Sequence, residues 1–233
     1  SAERDLNTAM TQTWSDLLLS EEEIDTAYAA YCSQNGVTDS VFSHSDAAQT
    51  GFLKSNAGEL LETLRRSQTT GVFLILNSRG ARNRALSSRN GVCIRNLNGY
   101  RDPENLCLER GPTSVAKQLN LSLDGNWRAA YHFTGKSRDS FVTVPLLAAS
   151  EHPAVAGDAL GYWCPVYLLN ETDKSALSYS VPLISASGNA YGVLGVEISQ
   201  GYLKRFLSSG DLGSGAAYSL AIAGKTGGKT AYS

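Results

Sequence analysis

The sequence predicts an α+β fold, and three observations carry that prediction. Apolar residues recur at helical spacing through the first third of the chain, short β-rich runs replace that period from Gly71 onward, and the alternating β-α rhythm of a doubly wound sheet is absent. Leu6, Met10, Trp14, Leu17, Leu18, Ile24, Tyr28 and Tyr31 fall on one helical face, and most of Asp5, Asp16, Glu21, Glu22, Glu23 and Asp25 fall on the other. The chain is therefore expected to open with a long helix that Gly36 stops. A second helix is expected over 46–66, burying Phe52, Leu53, Leu60, Leu61 and Leu64. Together these define an N-terminal helical region, 1–66.

Gly71–Leu76 is a short apolar run closed by a turn, as a buried strand requires, and 91–97 is a second strand candidate. Residues 98–111 read as loop, and Pro112 opens a short helix that runs to Leu119. Strand candidates then crowd the chain at 127–133, 141–147, 161–169, 176–184 and 190–199. The last two are joined by Ser185-Ala-Ser-Gly-Asn189, whose length and chemistry suit a hairpin. The expected body, 67–209, is an antiparallel sheet of about five strands with flanking helices. It ends in a helix over 200–209, a Gly/Ser-rich linker over 210–215 and one further strand over 216–223.

Composition excludes several functions. Lys and Arg (20) nearly balance Asp and Glu (22), giving a formal charge of −2 and no electrostatic footprint for nucleic acid or an anionic membrane. No apolar run reaches the roughly 18 residues of a membrane span. The four cysteines form no Cys-x-x-Cys pair, and His44, His132 and His152 lie far from them, so neither a zinc site nor any other cofactor is expected. Cys93 and Cys107 bracket a polar stretch. Their spacing leaves two readings open: a disulfide pinning a loop, or two half-buried thiols.

Catalytic patterns are also missing. There is no Gly-x-Ser-x-Gly elbow, no His-Glu-x-x-His and no diagnostic carboxylate pair, so the chain is not expected to be an enzyme. Ala223-Gly-Lys-Thr-Gly-Gly-Lys-Thr230 matches a relaxed P-loop, but only Ala-Tyr-Ser follows it. A phosphate cradle needs a helix there, so a Gly/Lys-rich turn between two strands is the better reading. The aromatic residues are more informative. Trp127, Tyr131, Phe133, Phe141, Tyr162, Trp163, Tyr167 and Tyr179 lie on or beside successive strand candidates, with Arg95, Arg128 and Glu197 as accompanying charges. Tyr and Trp combine an apolar body with a polar tip, which suits them equally to a sheet core and to a pocket wall.

Tyr179-Ser-Val-Pro-Leu-Ile-Ser, a Gly/Asn turn, Tyr191-Gly-Val-Leu-Gly-Val-Glu-Ile-Ser199 and the following Tyr202-Leu203 resemble the closing hairpin of Cache sensor domains, and Gly161-Tyr-Trp-Cys-Pro165 fits the preceding strand. The resemblance covers most of 1–210. Cache domains are PAS-like extracytoplasmic modules of bacterial membrane receptors. The resemblance implies a membrane-distal PAS-like module that binds a small molecule and relays a conformational change to a histidine kinase, a diguanylate cyclase or a chemoreceptor signalling region. It further implies that the full-length protein is anchored in the membrane, that the long helix is a possible homodimer contact, and that 210–233 begins a second module. The family's amino-acid-binding subset carries Arg-x-Trp-Tyr and a closing-strand Asp. Here Trp127 matches the Trp, Gly125 and Arg128 depart from its neighbours, and Glu197 fills the acidic slot. The candidate ligand contacts are Trp127, Tyr131, Phe141, Tyr162, Tyr167, Tyr179 and Glu197. A structural, adhesive or dimer-forming module whose aromatics are all core is the alternative.

Overall fold

The computed structural model describes residues 2–78, 88–96, 102, 104–134, 139–168, 175–203, 223–226 and 229–232. Helix α1 (Ala2–Asn35) ends where Gly36 takes up the left-handed region at φ 62°. Thr13, Leu17, Ser20, Glu21, Ile24 and Tyr28 turn inward at three- and four-residue steps. Trp14, expected on that buried face, is instead 43 % exposed. Helix α2 (Asp39–His44) starts at a Thr38 cap, and α3 (Asp46–Ser55) at a Ser45 cap. The single helix expected over 46–66 is two, because Asn56 separates α3 from α4 (Ala57–Ser67). The Asn56 side-chain amide donates to the Phe52 carbonyl at 2.9 Å, a local bond that competes with continuing the helix.

The strands are β1 (Gly71–Leu76), β2 (Ser88–Arg89), β3 (Gly91–Asn96), β4 (Leu106–Arg110), β5 (Ser122–Arg128), β6 (Tyr131–His132), β7 (Tyr162–Leu168), β8 (Ser175–Ile184) and β9 (Ala190–Ser199). Helix α5 (Thr113–Leu119) joins β4 to β5, α6 (Ser140–Glu151) and a 3-10 turn (Gly157–Leu160) precede β7, and α7 (Gln200–Leu203) follows β9. The main sheet has seven strands in the order β5-β4-β3-β1-β9-β8-β7, antiparallel throughout except for the parallel β4–β5 edge pair. Five consecutive strands of it, from β3 to the edge strand β7 (β3-β1-β9-β8-β7), form the expected antiparallel sheet of about five strands. A short β2–β6 pair stands apart from it.

Three segments differ from expectation; the single strand expected over 127–133 is divided between the end of β5 and the separate β6, with bends at 129–130 between them. Strand β4 lies within residues read as loop, and its Glu109 and Arg110 make it polar enough to hide the ladder. Residues 141–147, rich in β-branched side chains, belong to helix α6. Its buried residues, Phe141, Val142, Pro145 and Ala149, keep helical spacing, so packing on the sheet overrides local propensity. Pro145 has no N–H to give to the Phe141 carbonyl one turn earlier. The Ser180 hydroxyl of β8 donates to that carbonyl instead, at 2.7 Å, and bonds the helix to the sheet.

Helices α1, α3, α4 and α5 cover one sheet face over Leu74, Leu76, Ile94, Val181, Leu194 and Val196. Helix α6 covers the other, over Phe73, Ile75, Cys93, Cys164 and Val193. At the end of the chain β10 (Ala223–Thr226) pairs antiparallel with β11 (Lys229–Tyr232), so the P-loop-like segment is a Gly/Lys-rich hairpin. The linker at 210–215, the rest of the expected helix over 204–209, and most of the strand expected over 216–223 lie outside the described residues.

Asp39 ties the β8–β9 hairpin to the helical layer. Its carboxylate accepts from Tyr28 Oη (2.9 Å), Ser185 Oγ (2.6 Å), Ser187 Oγ and Asn189 Nδ2 (3.1 Å). Tyr28 also stacks on Tyr191 at 3.7 Å between centroids. Burial opposes the Asp39 charge, but the bonds from Ser185, Ser187, Asn189 and Tyr28 outweigh it and hold the group below its ordinary range. Asp39→Ala is therefore expected to cost about 1–3 kcal/mol, read as a lower urea midpoint at unchanged slope. A depressed carboxylate stabilises the fold above its unfolded value and loses that contribution as pH falls through the folded one. The gap between wild type and variant should accordingly close on acidification.

Candidate functional site

The sheet face beneath α6 carries a row of polar side chains running across the strands. In register, Gly71 of β1 lies between Arg95 of β3 and Glu197 of β9, and Glu197 lies opposite Ser178 of β8. Gly71 has no side chain, so Arg95 and Glu197 meet above it. A Cβ there would stand 2.7 Å from Glu197 Oε2 and 3.3 Å from Arg95 Cγ. The pair is bidentate: Arg95 Nε donates to Oε2 at 2.6 Å and Nη2 to Oε1 at 2.8 Å. Arg95 also reaches Glu109 Oε1 at 3.6 Å, and Arg110 Nη1 lies 2.5 Å from that atom. Two cations and two anions are thus buried together, with Glu197 and Glu109 side chains 5 % and 1 % exposed.

Tyr167 Oη donates to Glu197 Oε1 at 3.0 Å. Burial, then the neighbouring Glu197 charge, pushes its phenol well up, so it remains a donor across the working pH range. Burial opposes the charge on Arg95, but Glu197 and Glu109 outweigh it and hold the guanidinium ionised. Above the polar row the rings close in. Phe141 of α6 stacks on Tyr167 (5.4 Å, 6°) and meets Phe73 edge-on (5.2 Å, 74°), while Tyr131 stacks on Phe133 (5.6 Å, 8°). The fully buried Ser178 hydroxyl makes no hydrogen bond of good geometry among the described residues.

Of the candidate contacts, Tyr131, Phe141, Tyr162 and Tyr167 gather on this face, and Glu197 sits among them. Trp127 and Tyr179 do not. Both pack on the opposite face under the helical layer, Trp127 donating its indole N–H to the Gly111 carbonyl at 3.1 Å. Along β8, Ser178 and Ser180 point toward α6, so Tyr179 between them must point away. Arg95 belongs to the site, whereas Arg128 is exposed and donates to backbone carbonyls of its own strand. Glu109, Arg110, Phe73 and Ser178 were not anticipated. Cys93 and Cys107 are both free and buried. Cys107 is opposite Arg95 and Cys93 opposite Arg110, so the two thiols are not directly paired across β3 and β4.

No protein-family profile matches the sequence, and no curated protein matches it. Several solved structures align with most of the chain at low identity. A structure named Methyl-accepting Chemotaxis protein X aligns over 86 % of this chain and 67 % of its own, at 17 % identity and TM-score 0.39. The ligand-binding domain of the Campylobacter jejuni chemoreceptor Tlp3 in complex with 4-methylisoleucine aligns over 86 % and 62 %, at 13 % identity and TM-score 0.38. The sensory domain of the same receptor with isoleucine bound aligns over 86 % and 62 %, at 13 % identity and TM-score 0.37. This chain spans less than two thirds of those two Tlp3 structures. No described helix is long and apolar enough to cross a membrane.

Removing one member of a buried ion pair leaves the other uncompensated, at a cost of roughly 3–5 kcal/mol. Glu197→Ala should therefore lower stability by about that amount. The double variant Arg95→Met, Glu197→Leu should recover much of the loss, as a double-mutant cycle in urea would measure.

Proposed function

We propose that this chain is the extracytoplasmic sensing region of a bacterial membrane receptor, and that it binds a small polar molecule between the sheet and α6. The observation that carries this reading is the buried Arg95–Glu197 pair with Tyr167 beside it and aromatic rings above. A sheet needs no such pair for stability, since apolar side chains of similar size serve as well or better. Buried, mutually paired charges under an aromatic cover instead suit the recognition of a ligand that offers a carboxylate to Arg95, an ammonium to Glu197, or both. The resemblance of residues 179–199 to a Cache hairpin supports the same assignment.

In this reading 67–209 is the membrane-distal module and 210–233 begins a second one. Helix α1 leads toward the membrane and serves as a dimer contact. The chain carries the signal to an output region instead of performing chemistry itself.

A thermal-shift screen across amino acids, short carboxylates, amines, sugars and purines tests the proposal. A ligand at a hundred times its Kd adds about 2.7 kcal/mol of stability. The proposal expects a hit among carboxylates or amines, weakened by Tyr167→Phe, which removes one donor without emptying the core. A screen with no hit in any class, or a hit indifferent to Tyr167→Phe and Glu197→Gln, would point to a structural module or to another site.

A further inference from the structure

Glu21, on the inner face of α1, is only 7 % exposed. It makes no hydrogen bond or ion pair among the described residues. Its Oε1 lies against Gly157, the first residue of the 3-10 turn, at the place where a Cβ would sit, and the Pro182 carbonyl of β8 crowds the same spot. Beyond Ser180, β8 no longer pairs with β7, and the turn covers that edge. Glu21 therefore sits at a three-way junction of α1, the turn and β8.

The titratable groups that interact with it among the described residues are all acidic or phenolic. Glu22 and Asp25 come from α1 itself, Asp158 from the turn, Tyr179 from β8 and Tyr191 from β9. No cation is among them. Nor is this a metal centre, because no group of three His, Cys, Asp or Glu among the described residues is arranged to hold an ion.

We propose that Glu21 is a proton-operated latch, holding α1 against the turn and β8 when protonated and loosening that contact when ionised. A neutral carboxyl fits an apolar, anion-lined seat, whereas a carboxylate there has no counter-charge and faces Asp25 and Asp158. Burial first, then Asp25, Asp158 and Glu22, push the Glu21 carboxyl up from 4.5 to about 8. Burial likewise lifts Asp25 to about 6, against the bond it accepts from Tyr191 at 2.6 Å. Both groups bind protons more tightly when folded, so their stabilisation is full below the unfolded values and is lost as pH rises through the folded ones. Asp25 acts up to about pH 6, leaving the window from about 6 to 8 to Glu21.

The experiment is urea denaturation of the whole chain at stepped pH. In the wild type the folding constant should fall by up to about tenfold per pH unit across that window. Protection of α1 amides near residues 17–28 against hydrogen exchange should fall with it. Glu21→Gln should flatten the pH dependence, and a variant that keeps the wild-type slope overturns the proposal. Carboxyl carbon NMR of the wild-type chain tests it without that variant. An inflection for Glu21 near 8 that moves down in the exposed-site variant Asp158→Asn supports the latch. An inflection in the ordinary carboxylate range defeats it.

Discussion

Burying the Arg95–Glu197 pair imposes the strictest constraint in this fold. A guanidinium and a carboxylate withdrawn from water must be paired in good geometry, and here that requires β3 and β9 to flank β1 with Gly71 level with both. A slip of one residue in either strand would turn one charge to the opposite face and leave its partner alone. Tyr167, at the far edge of the row, extends the same requirement across β8 to β7. The pair thus specifies the register of the central sheet as strongly as the apolar residues do. It also sets the position of α6, whose Phe141 closes over Tyr167.

Much of the sheet was legible in the chain. Strands β1, β8 and β9 and the turn between β8 and β9 follow from apolar period and turn chemistry, and Glu197 stood out as an acid in an otherwise apolar strand. Helix α6 was hidden because Val-Thr-Val-Pro is strand-like in propensity, and its helical burial depends on a sheet face that the local sequence does not show. Glu109 was missed because β4 looked like loop. The split of the aromatic set has a different cause. Alternation within β8 was readable, but which parity meets Glu197 depends on cross-strand register, and a bulge between Cys164 and Tyr167 resets it in β7. Tyr179 and Trp127 therefore belong to the helical face, where they pack under α1 and its neighbours.

The two faces do different chemical work. The α6 face balances its charges within a few ångströms, so its state depends on geometry and on what competes for Arg95 and Glu197. On the α1 face Arg66 is taken up by Glu23 and Glu59, and the described charged groups that act on Glu21 are acids, so the state of that seat depends on protons. Strand β8 belongs to both, with Ser178 and Ser180 on one side and Tyr179 and the Pro182 edge near the other.

Pro145 gives that shared strand a mechanical meaning. By withholding an N–H it leaves the Phe141 carbonyl to Ser180, so the first turn of α6 is anchored by a side chain of the sheet as well as by its own backbone. The residue whose ring covers Tyr167 is the same residue whose carbonyl grips β8. That grip lies on β8 only two residues from Pro182, beside which Glu21 of α1 is seated, so one short stretch of a single strand is held from both faces of the sheet.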